Sequence, residues 1–260
     1  MNAPPCRLCG QPLTRTFVDL GMSPPSNALL YPDSLDRSEV FHPLHVRVCE
    51  NCLLVQLPVI EEAEAIFTSD YAYFSSYSTS WLAHCEAYAS EIAAERGLGP
   101  DDLVVEAASN DGYLLQYFKA QGIPVLGIEP SANVAEAAEK ERGIQTVRDF
   151  FGVATAERLC AEGRRADLFV GNNVLAHVPD VLDFLGGVKR LLAPEGAATF
   201  EFPHLARLME WTQFDTIYHE HFSYFSLRTA ERAASLAGLQ VFDVRELPTH
   251  GGSLRLYLRH

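Results

Sequence analysis

Short apolar runs and longer helix-like segments alternate along the chain from Asp101 to its end. The apolar runs are LVVEA (103–107), PVLGIE (124–129), DLFVGN (167–172) and AATFEF (197–202), with segments such as GYLLQYFKAQG and VLDFLGGVKRLLAPEG between them. A strand of a parallel sheet is apolar throughout when helices cover both faces of the sheet. The pattern therefore predicts an α/β fold with a parallel sheet that binds its ligands at the carboxyl ends of the strands. Two alternating runs, LQVFDVRE and SLRLYLR, are joined by a Gly-Gly turn and predict a terminal antiparallel hairpin.

A Tyr- and Ser-rich segment, SDYAYFSSYSTS, precedes this region and shows no hydrophobic periodicity. The next segment has apolar residues at helical spacing and stops at Gly97, which predicts an amphipathic helix. Its predicted buried face consists of Trp81, Leu82, Cys85, Tyr88, Ala89 and Ile92. We expect residues 59–100 to form a linker and a helix that cap the site at the sheet edge.

Two C-x2-C pairs, CRLC and CENC, flank the first fifth of the chain. Each pair presents two thiolates from one tight turn, and four thiolates close the tetrahedral coordination of Zn2+, so the site is predicted to be structural. The predicted ligands are Cys6, Cys9, Cys49 and Cys52. With the strand-like run HPLHVRV between the pairs, residues 1–58 are expected to form a small β module stapled by zinc. Packing in the core is expected for the remaining cysteines, Cys85 and Cys160.

Length and charge exclude several classes of protein. The chain has 260 residues, of which 48% are hydrophobic and 21% charged, which is enough for a sizeable core. Its 20 Lys and Arg against 34 Asp and Glu give a net charge of −14, which argues against a nucleic-acid partner. The sequence contains no apolar stretch of roughly 20 residues, and its first ten residues lack the pattern of a signal peptide. We therefore expect a cytoplasmic protein that does not span a membrane.

The end of the first predicted strand carries polar groups instead of a dinucleotide fingerprint. The sequence EAASNDGYLL has only Gly112 where a dinucleotide-binding loop has G-x-G-x-x-G. A single-glycine turn beside Glu106 and Asn110 suits a ligand with an ammonium and a sulfonium. After the second strand, Glu129 is placed to accept hydrogen bonds from two ribose hydroxyls. The alternative for both glutamates is a solvated charge at a strand end.

The segment IYHEHFSYFS (217–226) places two histidines, a glutamate and two tyrosines close together. A helical zinc-protease motif needs two histidines four positions apart, and His219 and His221 are two apart. Held in a partly buried place, such groups titrate near neutrality and suit general acid and base chemistry. A structural aromatic segment is the alternative. Because His219 faces the site only if the segment is extended, it is not counted as a site residue.

Eight blocks, in order, resemble the S-adenosylmethionine-dependent C-methyltransferases that act on nucleotide-linked 4-keto deoxysugars in antibiotic pathways. The blocks are CRLC…CENC, DYAYFSSYS, VVEAASNDGYLL, GIEPSANVA, DFF, GNNVLAHVPD, YHEHFSYFS and LPTHGGSLRLY. The resemblance extends from Cys6 to the carboxyl end and implies a Rossmann-like class I methyltransferase sheet over residues 101–260. A parallel sheet that ends in a hairpin is typical of such methyltransferases. Family members usually continue into a second carboxyl-terminal α/β half, and this half is absent from the sequence.

The resemblance assigns a role to particular residues. It implies S-adenosylmethionine and structural Zn2+ as cofactors and a nucleotide-linked, dTDP-type keto sugar as substrate. The implied cofactor-binding residues are Glu106, Asn110, Gly112, Glu129, Pro130, Asp149, Phe150, Phe151 and Asn172, with at least one of the two phenylalanines expected in the core. The implied catalytic residues are Tyr73, His177, Tyr218, Glu220 and His221.

The ketone at C4 of such a sugar makes the hydrogen on C3 acidic, so a base can form an enolate whose carbon accepts the methyl group. His221 is the expected base, with Glu220 binding a sugar substituent or orienting the imidazole. Tyr218, Tyr73 and His177 are candidates for hydrogen bonding to the enolate oxygen. Two other functions stay open at this point. One is a zinc-dependent hydrolase or deaminase that uses the two histidines, and the other is a non-catalytic adaptor.

Overall fold

The computed structural model describes residues 3–27, 29–60 and 71–260, which form two sheets. Strands and helices are numbered here in chain order. The smaller sheet contains β1 (Arg15–Ser23), β2 (His42–Val48), β3 (Val55–Gln56) and β9 (Ser223–Tyr224), which lie in that order and are antiparallel throughout. The predicted strand at HPLHVRV coincides with β2. Strand β1 precedes it and ends at Ser23.

The larger sheet has seven strands. They are β4 (Val104–Ala107), β5 (Val125–Ile128), β6 (Thr146–Val147), β7 (Ala166–Asn172), β8 (Leu192–Pro203), β10 (Gln240–Leu247) and β11 (Ser253–Arg259). Their order across the sheet is β10-β11-β8-β7-β4-β5-β6. The strands from β4 to β8 are parallel, and β11 is antiparallel to both β8 and β10. The predicted parallel sheet with a terminal antiparallel hairpin is confirmed.

Helices cover both faces of this sheet. They are α1 (Thr79–Arg96), α2 (Leu115–Ala120), α3 (Ala132–Arg142), α4 (Val153–Ala161), α5 (Val181–Leu191), α6 (Leu205–Glu210) and α7 (Leu227–Leu236). Side chains of β4 alternate between the faces: Val104 packs in the core with α1 and α2, and Val105 packs with α4, α5 and α7. Continuous apolar strands are thus explained by burial on both sides.

Helix α1 has the ends that its sequence predicts. The Ser78 hydroxyl accepts the N–H of Trp81 at the amino end, and Gly97 adopts the left-handed conformation at the carboxyl end. All residues of the predicted face except Leu82 are buried, and Leu82 packs partly buried against the same core. Residues 61–70 of the predicted capping segment, 59–100, lie outside the described part of the chain, so that part of the prediction stays a prediction.

Two helix predictions were too long. The segment VLDFLGGVKRLLAPEG is helical only to Leu191, and residues 192–196 already belong to β8. Pro194 disfavours helical backbone at the residue before it and lacks the N–H of a helix interior. The segment GYLLQYFKAQG becomes helical only at Leu115, since Gly112 forms a turn with a φ of 78°.

The small sheet takes one strand from the second half of the chain and shares a hydrophobic cluster with it. Strand β9 pairs with β3 in the small sheet, with Tyr224 opposite Val55 and Ser223 opposite Gln56. A hydrophobic cluster contains Leu44, Val46, Val55 and Leu57 of the module together with Leu205, Leu208, Ile217 and Tyr224. The amino-terminal module therefore packs its core against residues that are more than 140 positions later in the chain. Within the described ranges, no helix has the length and apolar character to cross a bilayer.

Candidate active site and zinc centre

A cavity of about 590 Å3 lies at the carboxyl ends of the parallel strands. Strand order reverses between β4 and β7, since the chain continues from β4 to β5 on one side and reaches β7 on the other. Such a reversal opens a crevice beyond the strand ends, which is where ligands bind in open α/β sheets. All predicted catalytic and cofactor residues line the cavity except Glu106 and Gly112.

The loop after β4 takes an unusual backbone conformation. Ala108, Asn110 and Gly112 have φ values of 55°, 50° and 78°, so every second residue is left-handed. Only glycine adopts this conformation without cost, and at other residues it marks strain that is often kept at functional sites. The sequence indicated the one glycine and gave no signal for the other two positions.

Asn110 fixes this loop to the capping segment before α1. Its side-chain Oδ1 accepts the N–H of Ser75 at 2.9 Å, and its Nδ2 donates to the carbonyl of Tyr73 at 3.0 Å. Its backbone N–H donates to Glu129 Oε2 at 3.0 Å. The strained loop, the capping segment and the second strand end are therefore held together by one asparagine.

Glu129 follows β5 and lines the cavity with 4% of its surface exposed. Its second oxygen, Oε1, accepts the N–H of Ser131 at 2.9 Å. Burial raises the pKa of this carboxyl, and the two backbone hydrogen bonds partly oppose that shift. A carboxylate has about four lone-pair positions. Each oxygen thus keeps one for a further donor such as a ribose hydroxyl.

Asn172, at the end of β7, carries the clearest unused polar groups of the cavity. Its side chain is 4% exposed, and neither its Oδ1 nor its Nδ2 has a hydrogen-bond partner in the described part of the chain. Burying an amide without partners costs free energy, so such a group points to a ligand. Asn172 fits a cofactor that brings both a donor and an acceptor to this strand end.

The DFF block after β6 contributes both phenylalanines. Phe151 packs against Phe169 and Phe184, with ring centroids 4.9 and 5.3 Å away, so it is part of the core as well as the cavity wall. Phe150 is 37% exposed and presents its ring to the cavity. Neighbouring Asp149 lines the cavity too, and its Oδ2 accepts from Thr155 and Arg158 at 2.9 and 2.8 Å. Pro130 completes this side of the cavity.

Glu106 and Gly112 do not line the cavity. Glu106 is completely buried in β4, and desolvation raises its pKa well above the ordinary value, with the Tyr113 hydroxyl opposing that shift. Gly112 is packed against Ile144, since a Cβ at this position would lie 2.6 Å from the Ile144 side chain. Gly112 therefore shapes the loop, and direct contact of either residue with a cofactor stays a prediction.

Tyr218 and His221 form a hydrogen-bonded pair on the opposite wall. The Tyr218 hydroxyl and His221 Nε2 are 2.8 Å apart, and His221 Nδ1 lies 2.8 Å from the carbonyl oxygen of Thr216. A carbonyl only accepts, so Nδ1 carries the proton and donates to Thr216, while Nε2 accepts from Tyr218. Burial lowers the pKa of His221 to about 4, so the imidazole is neutral at pH 7.

His177 lies beside this pair. It ends the 3-10 turn Leu175–His177 after β7, and its ring meets the His221 ring edge-on at a centroid distance of 4.6 Å. Burial, and next the neighbouring His221, lower the pKa of His177 well below the ordinary value. The structure therefore places the neutral imidazole of His177 beside the Tyr218–His221 pair, whose members lie 41 and 44 positions later in the sequence.

Glu220 receives its partners from the amino-terminal module. Its Oε1 accepts hydrogen bonds from the Ser26 hydroxyl at 2.8 Å and from Asn27 Nδ2 at 2.5 Å. Burial raises the pKa of Glu220, and these two donors oppose the shift. Tyr73 lines the same side and is 52% exposed. Sequence reasoning missed Ser26 and Asn27, since nothing in a turn-rich segment signals contact with residue 220.

Further cavity residues were missed as well. Trp81, Tyr113 and His250 form part of the wall, with the Trp81 ring 5.0 Å from that of His250 and 6.0 Å from that of Tyr113. His250 has a φ of 50°, which makes it another left-handed residue in the cavity wall. The sequence did offer a signal for His250, because this residue belongs to LPTHGGSLRLY, one of the eight blocks that resemble the methyltransferase family.

The two histidines of the HEH sequence do not share a site. His219 does not line the cavity, and its ring lies 5.9 Å from that of His42 in the small sheet. In the described ranges, the four cysteines are the group of side chains that could hold a metal ion. This arrangement gives no support to a zinc-dependent hydrolase or deaminase.

The four cysteines form a compact cluster. Their sulfur atoms lie within 4.8 Å of one another, with 3.4 Å between Cys6 and Cys52 and 3.5 Å between Cys9 and Cys49. Tetrahedral zinc with Zn–S bonds of about 2.3 Å separates its sulfurs by roughly 3.7 Å, so the cluster fits the metal. The two turns are alike, since the N–H of Gly10 donates to the carbonyl oxygen of Cys6 and the N–H of Leu53 donates to that of Cys49, both at 2.8 Å.

Family models match both parts of the chain. Residues 6–67 match a domain described as "Putative zinc binding domain", and residues 83–244 match one described as "Methyltransferase domain". The C-methyltransferase NovU of Streptomyces niveus is 36% identical over 252 residues, which cover 97% of this chain and 60% of NovU. The chain thus spans about three fifths of this relative, and the resemblance stated from the sequence is confirmed.

Solved structures share the fold at low sequence identity. An S-adenosylmethionine-dependent methyltransferase from Clostridium acetobutylicum has a TM-score of 0.54 at 11% identity, over 68% of this chain and 91% of that one. Magnesium protoporphyrin IX methyltransferase from Synechocystis, with bound S-adenosylmethionine, has a TM-score of 0.52 at 14% identity, over 74% and 86%. With a family model that covers more than half of its length, the chain belongs to the methyltransferase-domain family, and its cavity and cysteine cluster suit S-adenosylmethionine and structural zinc.

Proposed function

We propose that this chain transfers a methyl group from S-adenosylmethionine to C3 of a nucleotide-linked 4-keto deoxysugar, of the dTDP type, by way of an enolate. The observation that carries the proposal is the Tyr218–His221 pair, which faces the same cavity as Glu129 and Asn172. Similarity to NovU supports transfer to carbon. A cluster of four cysteines without a disulfide favours a cytoplasmic location, where thiols stay reduced.

The cofactor would be held at the carboxyl ends of β4, β5 and β7. Glu129 keeps free lone pairs for ribose hydroxyls, and the unpaired amide of Asn172 is available to the cofactor's polar groups. Phe150 presents an exposed ring to the cavity near Asp149, which suits contact with an adenine. When bound, S-adenosylmethionine supplies an electrophilic methyl group on a sulfonium.

His221 is the general base in this proposal. The hydrogen bond from Nδ1 to Thr216 fixes the tautomer, so the lone pair is on Nε2 at the side of Tyr218. With a pKa of about 4, the imidazole is fully in its basic form at pH 7. Its protonation at pH 7 would cost about 4 kcal/mol, because each pKa unit corresponds to about 1.4 kcal/mol.

Tyr218 has a complementary role. As long as Nε2 is unprotonated, it can accept a hydrogen bond from the Tyr218 hydroxyl. Nε2 has a single lone pair, so the Tyr218 hydroxyl must turn away before Nε2 takes the proton from C3, and the hydroxyl then donates to the enolate oxygen that forms. Burial raises the pKa of Tyr218, so the phenol stays protonated and acts as a donor. His177 and Tyr73 are the other candidates for donating to the enolate oxygen, and both line the cavity.

The direct test is methyl transfer from labelled S-adenosylmethionine to a dTDP-linked 4-keto-6-deoxysugar, with mass spectrometry of the sugar. We expect one added methyl group, on carbon, and exchange of the C3 hydrogen with deuterated water when S-adenosylhomocysteine replaces the methyl donor. Binding of S-adenosylhomocysteine without methylation or exchange would contradict the proposal and favour a non-catalytic adaptor. Because NovU is longer, the assay is repeated with any longer form of the protein.

A further inference from the structure

Arg7 lies between the two cysteines of the first C-x2-C turn and is connected to the metal cluster by a buried glutamine. The backbone N–H of Arg7 donates to Gln56 Oε1 at 3.0 Å. The amide Nε2 of Gln56 donates to the Cys6 sulfur at 3.1 Å, and Gln56 is 1% exposed. The backbone at Arg7 is therefore held in a fixed position relative to a predicted zinc ligand.

The guanidinium of Arg7 extends from the cysteines toward the cavity. Its Nη2 donates to the carbonyl of Leu57, and its Nη1 donates to the carbonyl of Pro179 at 3.4 Å. The group also lies over the ring of Phe222, 5.4 Å from the centroid. Pro179 lines the cavity two residues after His177, and Phe222 directly follows His221. One side chain thus contacts both segments that carry cavity histidines.

These segments are also joined to each other and to the end of β3. The N–H of Phe222 donates to the carbonyl of Ala176 at 2.8 Å, and the N–H of Leu57 donates to the carbonyl of Phe222 at 3.0 Å. The Arg7 side chain contacts all three, through the carbonyls of Leu57 and Pro179 and the ring of Phe222. Its planar fork holds donors on two separate nitrogens in a fixed geometry, whereas a lysine ammonium has its three donors on one nitrogen at the end of a flexible stem.

We propose that Arg7 is a positioning residue that fixes the segments 174–180 and 217–226 to the zinc-binding turn. Zinc would then set the geometry of the cavity histidines in addition to folding the module. The inference rests on the proposed function only in treating His177 and His221 as catalytic. The contacts that carry it are independent of the reaction.

The test compares Arg7→Gln with wild type in the zinc-loaded full chain, by hydrogen exchange and mass spectrometry. We expect amide exchange in 174–180 and 217–226 to become at least tenfold faster, since both segments lose their shared contact. Zinc content and affinity for S-adenosylhomocysteine should stay within twofold of wild type. Arg15→Gln is the matched control, because Arg15 belongs to the same module but pairs with exposed Glu50 at 3.0 Å. It should leave both segments unchanged.

Steady-state kinetics distinguish a positioning residue from one that only supports the fold, because positioning affects kcat and leaves KM nearly unchanged. With methyl transfer established for wild type, Arg7→Gln should lower kcat at least tenfold while the KM for S-adenosylmethionine stays within twofold. Arg7→Lys keeps the charge but not the fork, so it should recover only part of the loss. Faster exchange with unchanged turnover would support positioning and count against the catalytic roles of the two histidines.

Two results would overturn the proposal. One is amide exchange at the wild-type rate in both segments of Arg7→Gln. The other is an equal increase in the exchange rate of both segments in the Arg15→Gln control. If Arg7→Gln does not fold, Arg7→Lys decides by the same exchange measurement. Wild-type protection in that variant would show that the two-carbonyl contact is not required.

Discussion

At the scale of single residues, the chemistry of the cavity depends on how each polar group is partnered. His221 has one nitrogen fixed by the Thr216 carbonyl and the other paired with Tyr218, so its tautomer and orientation are set before any substrate binds. Glu129 has both oxygens engaged by backbone N–H groups yet keeps acceptor capacity. Asn172 has no partner for either amide atom in the described part of the chain.

Replacement of His221 by asparagine should separate binding from chemistry. We expect His221→Asn to keep the affinity for S-adenosylhomocysteine, because the predicted cofactor contacts come from other strand ends. Turnover should fall by about a hundredfold or more as the base is lost. Exchange of the sugar's C3 hydrogen in deuterated water, with wild type as positive control, isolates proton removal. Equal exchange in both proteins would place the base elsewhere, with His177 the next candidate.

The buried His221 should make stability depend on pH. Its folded pKa of about 4 lies below the value of about 6.5 expected for an unfolded chain, so the unfolded state binds more protons between these values. Stability is therefore lost as pH falls from about 6.5 toward 4. Between pH 7.5 and 5, wild type should lose about 2 kcal/mol more than His221→Asn in urea unfolding. A parallel loss in both proteins would mean that His221 is not buried in its neutral form.

Glu129 should contribute directly to cofactor affinity. Hydrogen bonds to a charged group are worth about 1.5 to 3 kcal/mol, so Glu129→Ala should weaken binding by roughly ten- to hundredfold. Calorimetric titration with S-adenosylhomocysteine measures this change. The same titration of Glu139→Ala is the control, since Glu139 pairs with Arg148 outside the cavity. An affinity within twofold of wild type for Glu129→Ala would place its carboxylate outside the cofactor site.

At the scale of elements, the loop after β4 has the left-handed backbone of a glycine-rich turn, although it contains a single glycine. Left-handed backbone at Ala108 and Asn110 costs about 1–2 kcal/mol for each residue. Asn110 offsets part of this cost through its three hydrogen bonds to the capping segment and to Glu129. The loop is therefore held in place by its neighbours, and its conformation is not an intrinsic preference of its sequence.

Two glycine-to-alanine substitutions test this loop against a matched control. Gly112 and Gly122 have φ values of 78° and 77°, but only a Cβ at Gly112 would meet another atom within 4 Å. Gly122→Ala should cost about 1–2 kcal/mol from the backbone alone. Gly112→Ala should cost at least about 1 kcal/mol more, because Ile144 must move. Urea unfolding and titration with S-adenosylhomocysteine check both variants.

Only Gly112→Ala should weaken cofactor binding, since Gly122 lies at the end of α2 and away from the cavity. Equal stability losses in the two variants would show that Ile144 yields without cost. Equal affinities would show that the conformation of residues 108–112 does not affect the cofactor site.

At the scale of the whole molecule, the zinc module and the methyltransferase domain share one cavity. Strand β9 completes the small sheet, Ser26 and Asn27 hold Glu220, and Arg7 contacts the segments that follow β7 and precede β9. The module therefore takes part in the proposed substrate side of the site. The cofactor side depends on the ends of the parallel strands.

Zinc removal should affect these two sides differently. Metal ligation supplies folding free energy to a small module, so chelation should unfold residues up to 58 while the parallel sheet keeps its fold. Affinity for S-adenosylhomocysteine should be retained, and substrate turnover should be lost. Circular dichroism and hydrogen exchange on the full chain follow the two parts. Cys49→Ser should reproduce the effect, whereas Cys160→Ser, outside the cluster, should not.

The local sequence was sufficient for features with short-range causes. Burial on both faces makes the parallel strands apolar, so β4, β5, β7 and β8 could be recognised from composition alone. Ser78 and Gly97 set the ends of α1 through local hydrogen bonds and backbone freedom. Each C-x2-C turn brings two sulfurs together by itself, which made the zinc site predictable before the two turns were seen to meet.

Tertiary structure decided the features that need contacts between distant residues. Ser26 contacts Glu220 across 194 positions, and Arg7 contacts Pro179 across 172. The spacing of apolar and polar residues along the chain does not predict such pairs. The two-residue strand β9 pairs with β3, which lies more than 160 positions earlier, and Ala108 is left-handed although alanine has no local preference for that conformation. The sequence therefore indicated most of the groups that line the cavity, and long-range packing decided their partners, protonation and orientation, since these depend on burial and on neighbours far along the chain.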